Sequence, residues 1–473
     1  MSRGSVESSS NLFGAHPNEQ RTAAAVVVVP LLIFASALIS SILYAGTSQF
    51  SSGTDGPAQV NYNAEERDFP AVYPDEPTDV SAVSGSLGSR PDDDVNYSCK
   101  HTAFPDVCER ELSGFRIPRT ARPLEVVRYA VQAAAKRVDE SNQLTAKLIS
   151  NHSRALSPLE AQCAHDCLAL LQNAKEQLNL VSARVSSFHT LPDTPSLRYS
   201  ALSDVLVWLS SSLSYQTVWS DNFQVAPGFI QHQIQNNQAH LTQVLGVDLG
   251  LVDTLSRFGN SQQSWLNDGF PTWVSTTGRR ILQASSSTVT ANAIVAKDGS
   301  GHYTTVSAAV NAIPSSYSGR YVIYIKKGVY KEVFDIASNQ KNVTFVGNGI
   351  RKTIITGKRN VASGDYNTYR TSTVGVSGSG FYARDLTFRN TAGASGHQAV
   401  ALRAGADYLV FYRCSFEGYQ DTLYALSGRQ FYRECQIYGT VDFIFGNAIA
   451  VFQNCALVAR LPMKGQQNVY TAS

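Results

Sequence analysis

The spacing of apolar residues changes character along this chain, and each change marks a boundary. Residues 1–21 are polar, whereas Thr22 to Gly46 carries no charge and includes Val26–Val29 and Leu31–Phe34. That run is long enough to cross a bilayer as a helix. Arg21 gives it a positive N-terminal flank, so the expectation is a signal-anchor with residues 1–21 cytosolic and the rest lumenal. Cleavage near Tyr44–Gly46 is the alternative. Pro30 is tolerated in a membrane helix, while a buried helix of a soluble domain fits poorly between two polar flanks. Residues 47–95 are rich in Ser, Gly, Pro, Asp and Val and show no sustained apolar period, which reads as a flexible stalk. Its Asp92–Asp94 triplet reads as a solvated loop, not a metal site.

From Asn96 to Phe258 the period becomes helical. Leu124–Ala135 spaces apolar residues at three and four, and comparable stretches follow at 158–187, 197–219 and 228–257. Four such segments with short connections predict an all-α up-down bundle over 96–258. Residues 259–292 form a polar connector. Beyond Ala293 short alternating or aromatic runs take over, such as Tyr321–Ile325, with a short helix at 307–313 placed to cap an open sheet end.

Inside this last part the pattern repeats. Cysteines recur at Cys414, Cys435 and Cys455, Gln420 follows Gln398 by 22 positions, and Asp442 follows Asp421 by 21. A period near 20 residues predicts a parallel β-solenoid, in which residues one period apart stack on the same face. Asp421 and Asp442 then become close neighbours. Two carboxyls that close disfavour joint ionisation, so one holds its proton while the other stays anionic, a general acid beside a nucleophile. Gln398 and Gln420 add the amide donors that an oxyanion hole needs. The plainer alternative makes these side chains turn caps or polar ladders between coils. Cys414 and Cys435, one coil apart, fall within disulfide range and are expected to pair.

The segments Gly328–Glu332, Gln398–Leu402, Gln420–Leu423 and Asp442–Gly446 resemble, in order and spacing, four signature motifs of the plant pectin methylesterases. The resemblance covers residues 293–473 and implies an all-β right-handed parallel β-helix hydrolysing methyl esters of cell-wall homogalacturonan to pectate and methanol. It makes Asp442 the nucleophile, Asp421 the proton donor and acid/base, Gln420 the transition-state stabiliser and Gln398 an oxyanion and substrate contact. Thr368, in Asn367–Tyr369, would line the substrate groove, and Glu332 would be structural. No metal or organic cofactor is implied.

Asn96–Cys108 resembles the start of a pectin methylesterase inhibitor domain, which implies a Cys99–Cys108 disulfide. The family's second bridge would join Cys167 to a position that is Trp219 here, so Cys163 and Cys167 are expected to be free thiols. Arg279–Leu282 is similar to the processing site between the two domains of such precursors, with Arg279 and Arg280 read by a subtilisin-like protease. Family members continue through a Leu-Gly-Arg-Pro-Trp motif whose Arg holds the nucleophile. This sequence reaches Ser473 without it, so a C-terminally truncated solenoid is expected.

Composition adds little. A formal net charge of +2 and no run of basic residues give no argument for a nucleic-acid partner. Sequons at Asn96, Asn151 and Asn342 fit passage through the secretory pathway, with the mature domain in the cell wall. His302 and His397 are the only histidines of the solenoid half, and no Gly-x-Ser-x-Gly elbow opens a helix, which excludes the usual esterase triad. A lyase would need a carboxylate cluster for Ca²⁺, and an inverting hydrolase would need carboxyls far enough apart to admit water; neither pattern is present. Two readings remain from the sequence. One is a pectinesterase precursor, and the other is a catalytically impaired form acting as a pectin-binding or esterase-inhibitory protein.

Overall fold

The computed structural model describes residues 94–472 except 119–120, 192–194, 225–227, 229, 257–265, 268 and 286–288, together with the backbone of 20–21 and 27–28. The expected stalk up to residue 93 and nearly all of the uncharged run 22–46 lie outside the described residues. Among those described, no helix is long and apolar enough to cross a membrane.

The first part is helical: α1 (Asp94–Lys100), α2 (Pro105–Leu112), α3 (Pro123–His152), α4 (Pro158–Ser187), α5 (Pro195–Gln224) and α6 (Gln231–Ser256). Proline opens four of them, where its missing N–H is an orphan anyway. The Ser157 hydroxyl caps α4 by accepting from the Glu160 N–H at 3.2 Å, and the Glu125 carboxylate caps α3 by accepting from the Arg122 N–H at 2.8 Å. Along α3, Val126, Ala130, Ala134 and Val138 recur every fourth residue and are buried against the other long helices. A disulfide joins Cys99 to Cys108 with Cα atoms 5.4 Å apart, clipping α1 to α2. Cys163 and Cys167 are free, buried thiols.

Helix α5 departs from the one-faced pattern. It is buried around most of its circumference because the bundle lies on one side and the solenoid on the other. Small side chains permit that. Ser211, Ser212 and Ser214 return their hydroxyls to the carbonyls of Val207, Trp208 and Ser210, so their burial leaves no donor unpaired.

The second part is a parallel β-helix of three sheets. One runs from Ala293–Val295 through Tyr382–Arg384, Leu409–Tyr412 and Arg429–Arg433 to Ile449–Gln453, and every neighbouring pair in it is parallel and in register. Parallel in-register stacking puts like on like in the interior. Phe411, Tyr432 and Phe452 stack on successive coils at centroid spacings of 4.9 and 4.7 Å. At the backbone level Gln20–Arg21 and Val27–Val28 lie antiparallel on Ala456–Ala459 and Ile449–Gln453. A short helix (Val306–Asn311) covers the first coil. Glu332 holds it in place, accepting from the Val306 and Ser307 N–H groups at 3.1 and 2.9 Å.

One corner column corrects the cysteine expectation. Asp385, Arg413, Glu434 and Asn454 all have positive φ at equivalent corners, and Cys414, Cys435 and Cys455 follow three of them into the interior. Cys414 and Cys435 are not joined; all three are free thiols. In-register parallel neighbours aim their Cα–Cβ bonds in parallel, whereas a disulfide needs them to converge. The thiols instead point at main-chain carbonyls, Cys435 at Phe411 and Cys455 at Tyr432, both at 3.4 Å.

Candidate active site

The strands Leu402–Ala404, Leu423–Ala425 and Ile444–Phe445 are consecutive rungs of one sheet, with Leu402 opposite Leu423 and Leu423 opposite Ile444. Asp421 and Asp442 each stand two residues before their strand, at φ of 61° and 48°. Positive φ is uncommon outside glycine, and Asp is among the residues that tolerate it. The Asp421 N–H donates to the Val441 carbonyl at 3.0 Å and the Leu423 N–H to Phe443 at 2.9 Å. That ladder carries the register through the corner and sets the two aspartates one above the other.

The longer interval between the glutamines has a local explanation. The Ala399 N–H donates to the Gln420 carbonyl at 3.2 Å, after which both the Ala401 and Leu402 N–H groups converge on the Thr422 carbonyl at 2.8 and 3.3 Å. One extra residue is absorbed there as a bulge. Gln398 therefore sits level with Gln420 although the strands that follow keep the 21-residue register. The four side chains lie on adjacent rungs at one end of the sheet.

Electrostatics separates the two carboxyls. Asp421 is 6% exposed, and burial pushes its carboxyl well above the usual range, with neighbouring Asp442 adding to the effect. Asp442 is only half-buried. The Gln420 Oε1 is buried without a partner.

Thr368 lies in a 3₁₀ turn, Thr368–Thr371, next to this rung. The Thr371 hydroxyl accepts from the Val400 N–H at 3.1 Å and the Thr373 N–H donates to the Val400 carbonyl at 3.0 Å, tying the turn to the segment that carries Gln398. Its flanks belong to the interface with the bundle. The Asn367 amide donates to Asp166 Oδ2 at 3.1 Å, and Arg370 pairs with the same carboxylate.

Two groups of residues escaped the sequence reading. Tyr424 and Phe445 each follow a site aspartate by three positions, and their rings stack at 4.1 Å beside it; the repeated Asp-x-x-aromatic spacing was the available signal. The second group is the contact with the bundle. Tyr369, Val400, Tyr424 and Leu426 are buried in the bundle's own core, with Phe445 and Ile449 packed against it. From α5, Trp208 donates to Asp407 at 3.1 Å and the Tyr215 hydroxyl to the Gly405 carbonyl at 3.0 Å. Arg429 is held between Asp407 and Asp204, each at 2.6 Å. The helices thus cover the sheet that carries the carboxyl pair.

Of the remaining expected sites, Asn342 is exposed at a solenoid corner and Asn151 is exposed near the end of α3. The Asn96 side chain lies outside the described residues. Arg279 and Arg280 are on a short helix, α7 (Thr276–Gln283).

Comparison with known proteins divides the chain into two regions. Residues 292–473 match the Pectinesterase family model, and residues 93–251 match that of the plant invertase/pectin methylesterase inhibitors. Pectinesterase 2 of Arabidopsis thaliana is 38% identical over 79% of this chain and 66% of its own length. Pectinesterase 3 of Citrus sinensis is 38% identical over 82% of this chain and 68% of its own. The chain thus spans about two thirds of the length of these relatives. A carrot pectin methylesterase structure aligns at 53% identity over 40% of this chain and 58% of that one, with a TM-score of 0.38. On the strength of the matches to these relatives, this chain belongs to the pectinesterase family, with an invertase/pectin methylesterase inhibitor region ahead of its β-helix.

Proposed function

We propose that this chain is the precursor of a pectin methylesterase acting on methyl-esterified homogalacturonan in the cell wall. The observation that carries the reading is the in-register stack of Asp421 on Asp442, level with the Gln398–Gln420 pair. The Asp442 carboxylate attacks the C6 ester carbonyl, and the amides of Gln398 and Gln420 stabilise the oxyanion of the tetrahedral intermediate. Asp421, kept protonated by burial, gives its proton to the departing methanol. The product of this step is an acyl-enzyme anhydride on Asp442. Water, deprotonated by Asp421, hydrolyses the anhydride to pectate and restores both carboxyls. Thr368 borders the groove, and the stacked Tyr424–Phe445 rings offer a flat apolar face to a sugar.

Because the bundle lies over this sheet, the attached form is read as closed. Before release, the uncharged run 22–46 would hold the precursor in a secretory membrane, a state in which Val27–Val28 leave their place on Ile449–Gln453. Cutting by a subtilisin-like protease beside Arg279–Arg280 would sever the chain between the bundle and the β-helix. The test is methanol release from esterified pectin by the processed protein, with Asp442→Asn and Asp421→Asn beside it. The amide keeps the shape but is neither nucleophile nor acid. Loss of a nucleophile lowers turnover by several powers of ten, and retention of more than about a tenth of wild-type release by Asp442→Asn would sink the assignment.

A further inference from the structure

The segment carrying the dibasic pair is not an open linker. Residues 266–267 and 269–283 form a strap across the outer face of the sheet that runs through Tyr382, Val410 and Phe431. A two-stranded turn, Leu266–Asn267 with Phe270–Pro271, leads into α7. Phe270, Val274 and Leu282 have no exposed surface, and they pack with Tyr382, Val410, Tyr412 and Phe431 in a small core of their own. The Phe270 ring meets Tyr412 and Phe431 at 5.6 and 5.9 Å, and Trp273 meets Tyr408 at 5.2 Å. Arg433 lies over the Phe270 ring at 4.8 Å and donates to the Gly269 carbonyl at 2.8 Å. Gly269 has a φ of 73°, and a Cβ on it would sit 2.3 Å from Arg433. On α7 itself, a Cβ on Gly278 would come within 2.8 Å of the Tyr382 ring, so the helix lies directly on the sheet.

The dibasic pair shares this docking. Ser275 caps α7 by accepting from the Gly278 N–H at 3.0 Å, and Arg279 donates to the Val274 carbonyl at 2.9 Å. The Arg280 side chain is exposed, but its carbonyl accepts from the Ala284 N–H at 2.9 Å, which closes the last turn. A protease active site takes its substrate as an extended strand, paired through the main chain. A helical, docked Arg279–Leu282 cannot be read in that form.

We propose that the strap is a latch on processing: the Arg279–Arg280 bond region is cut only after 266–283 has peeled off the sheet. Phe270 and Val274 set the rate by setting how rarely that happens. This rests on the reading of Arg279–Arg280 as the processing site. Cleavage then follows the population of a locally opened state instead of the exposure of the arginines. The latch also makes release a two-step event, because after the cut Phe270 and Val274, which remain on the bundle fragment, can dock back on the β-helix.

The test compares cutting rates by a dibasic-specific subtilisin-like protease on three substrates: the full chain, the full chain with Phe270→Ala, and a free peptide spanning 272–287. Phe270 lies outside the residues such a protease contacts, so its substitution changes docking and not recognition. The free peptide should be cut at least a hundredfold faster than the wild-type chain, and Phe270→Ala should speed cutting of the chain at least tenfold. Equal rates for the wild-type chain and the peptide would overturn the latch, and that comparison holds even if the variant folds poorly. A folded Phe270→Ala chain cut no faster than wild type would overturn the role of Phe270. No cutting of any of the three would instead overturn the Arg279–Arg280 reading.

Discussion

Asp248 gives the sharpest quantitative test of how the helical bundle is held together. It lies on α6, is fully buried, and neither of its carboxyl oxygens has a partner. Around it are Cys108, Leu112, Ala130, Ala133, Val244 and Val247, with Glu111 the charged neighbour. Glu111 is already engaged, accepting from Arg137 at 2.9 Å and contacting His240 at 2.9 Å. Burial alone therefore pushes the Asp248 carboxyl well above the carboxylate range.

The sign of the pH dependence follows. A carboxyl whose folded pKa is raised contributes its full share of stability below the unfolded value of about 3.9. That share shrinks as pH rises from there through the folded value. Asp248→Val removes both the titration and an unsatisfied buried group worth about 1–3 kcal/mol. For a bundle of this size each kcal/mol moves the midpoint by about 2–4 °C, so a rise of roughly 2–12 °C is expected at neutral pH. Helical CD followed through thermal unfolding at several pH values between 4 and 8 reads this directly. Wild type should lose more midpoint than the variant as pH rises. A variant that melts lower than wild type at pH 8, or with the same pH slope, would refute the reasoning.

Four further outcomes are expected. Thiol titration of the denatured, non-reduced chain should give five reactive groups, Cys163, Cys167, Cys414, Cys435 and Cys455; three would restore the Cys414–Cys435 bridge. Gly439→Ala would set a Cβ 2.1 Å from that of Phe443; by shifting the neighbouring Asp442 by about 1 Å it should lower the methanol-release kcat on the order of a hundredfold. Arg429→Met removes the cation that Asp204 and Asp407 share; Asp204 keeps Arg184 at 2.7 Å and Asp407 keeps the Trp208 N–H, so the hold of the bundle should weaken by about 1–3 kcal/mol, seen as separation of the two parts on size-exclusion after cutting. Glu332→Ala uncaps the first-coil helix and should lower the solenoid's midpoint, with a stability loss of about 1–2 kcal/mol.

The repeat interval was the part of the site legible in the sequence, because a parallel coil converts sequence period directly into height. Asp421 and Asp442, 21 apart, could be stacked on that basis alone, and the bulge at Ala401–Leu402 explains why a 22-residue interval still brings Gln398 level with Gln420. The same logic misled for Cys414 and Cys435, since period gives distance but not the direction of the Cβ bonds. Contacts between the two halves have no periodic signal at all. Nothing in the pattern around Asp204 or Trp208 says that they meet Asp407 and Arg429 more than 190 residues later. Helix α5 came closest to announcing its position: its small residues and weak segregation of polar and apolar faces suit a helix covered on both sides. The strap was hidden for a different reason, because a stretch with few apolar residues reads as linker even when three of them, Phe270, Val274 and Leu282, are fully buried.

The two causes that keep the Asp421 proton in place do not share the same fate when the bundle leaves. Burial is the larger, and the bundle contributes to the cover of this face through Tyr424, Leu426 and Phe445. The repulsion from Asp442 belongs to the solenoid itself and stays as long as the 21-residue register holds. Release should therefore let water reach the rung and draw the Asp421 carboxyl partway back toward its ordinary range, without removing the asymmetry between the pair. A general acid works best when its pKa lies near the ambient pH, since it must give up a proton to the leaving group and recover it from water in the same cycle. Under the proposed function, displacing the bundle would then both open the groove and draw the Asp421 carboxyl toward that range.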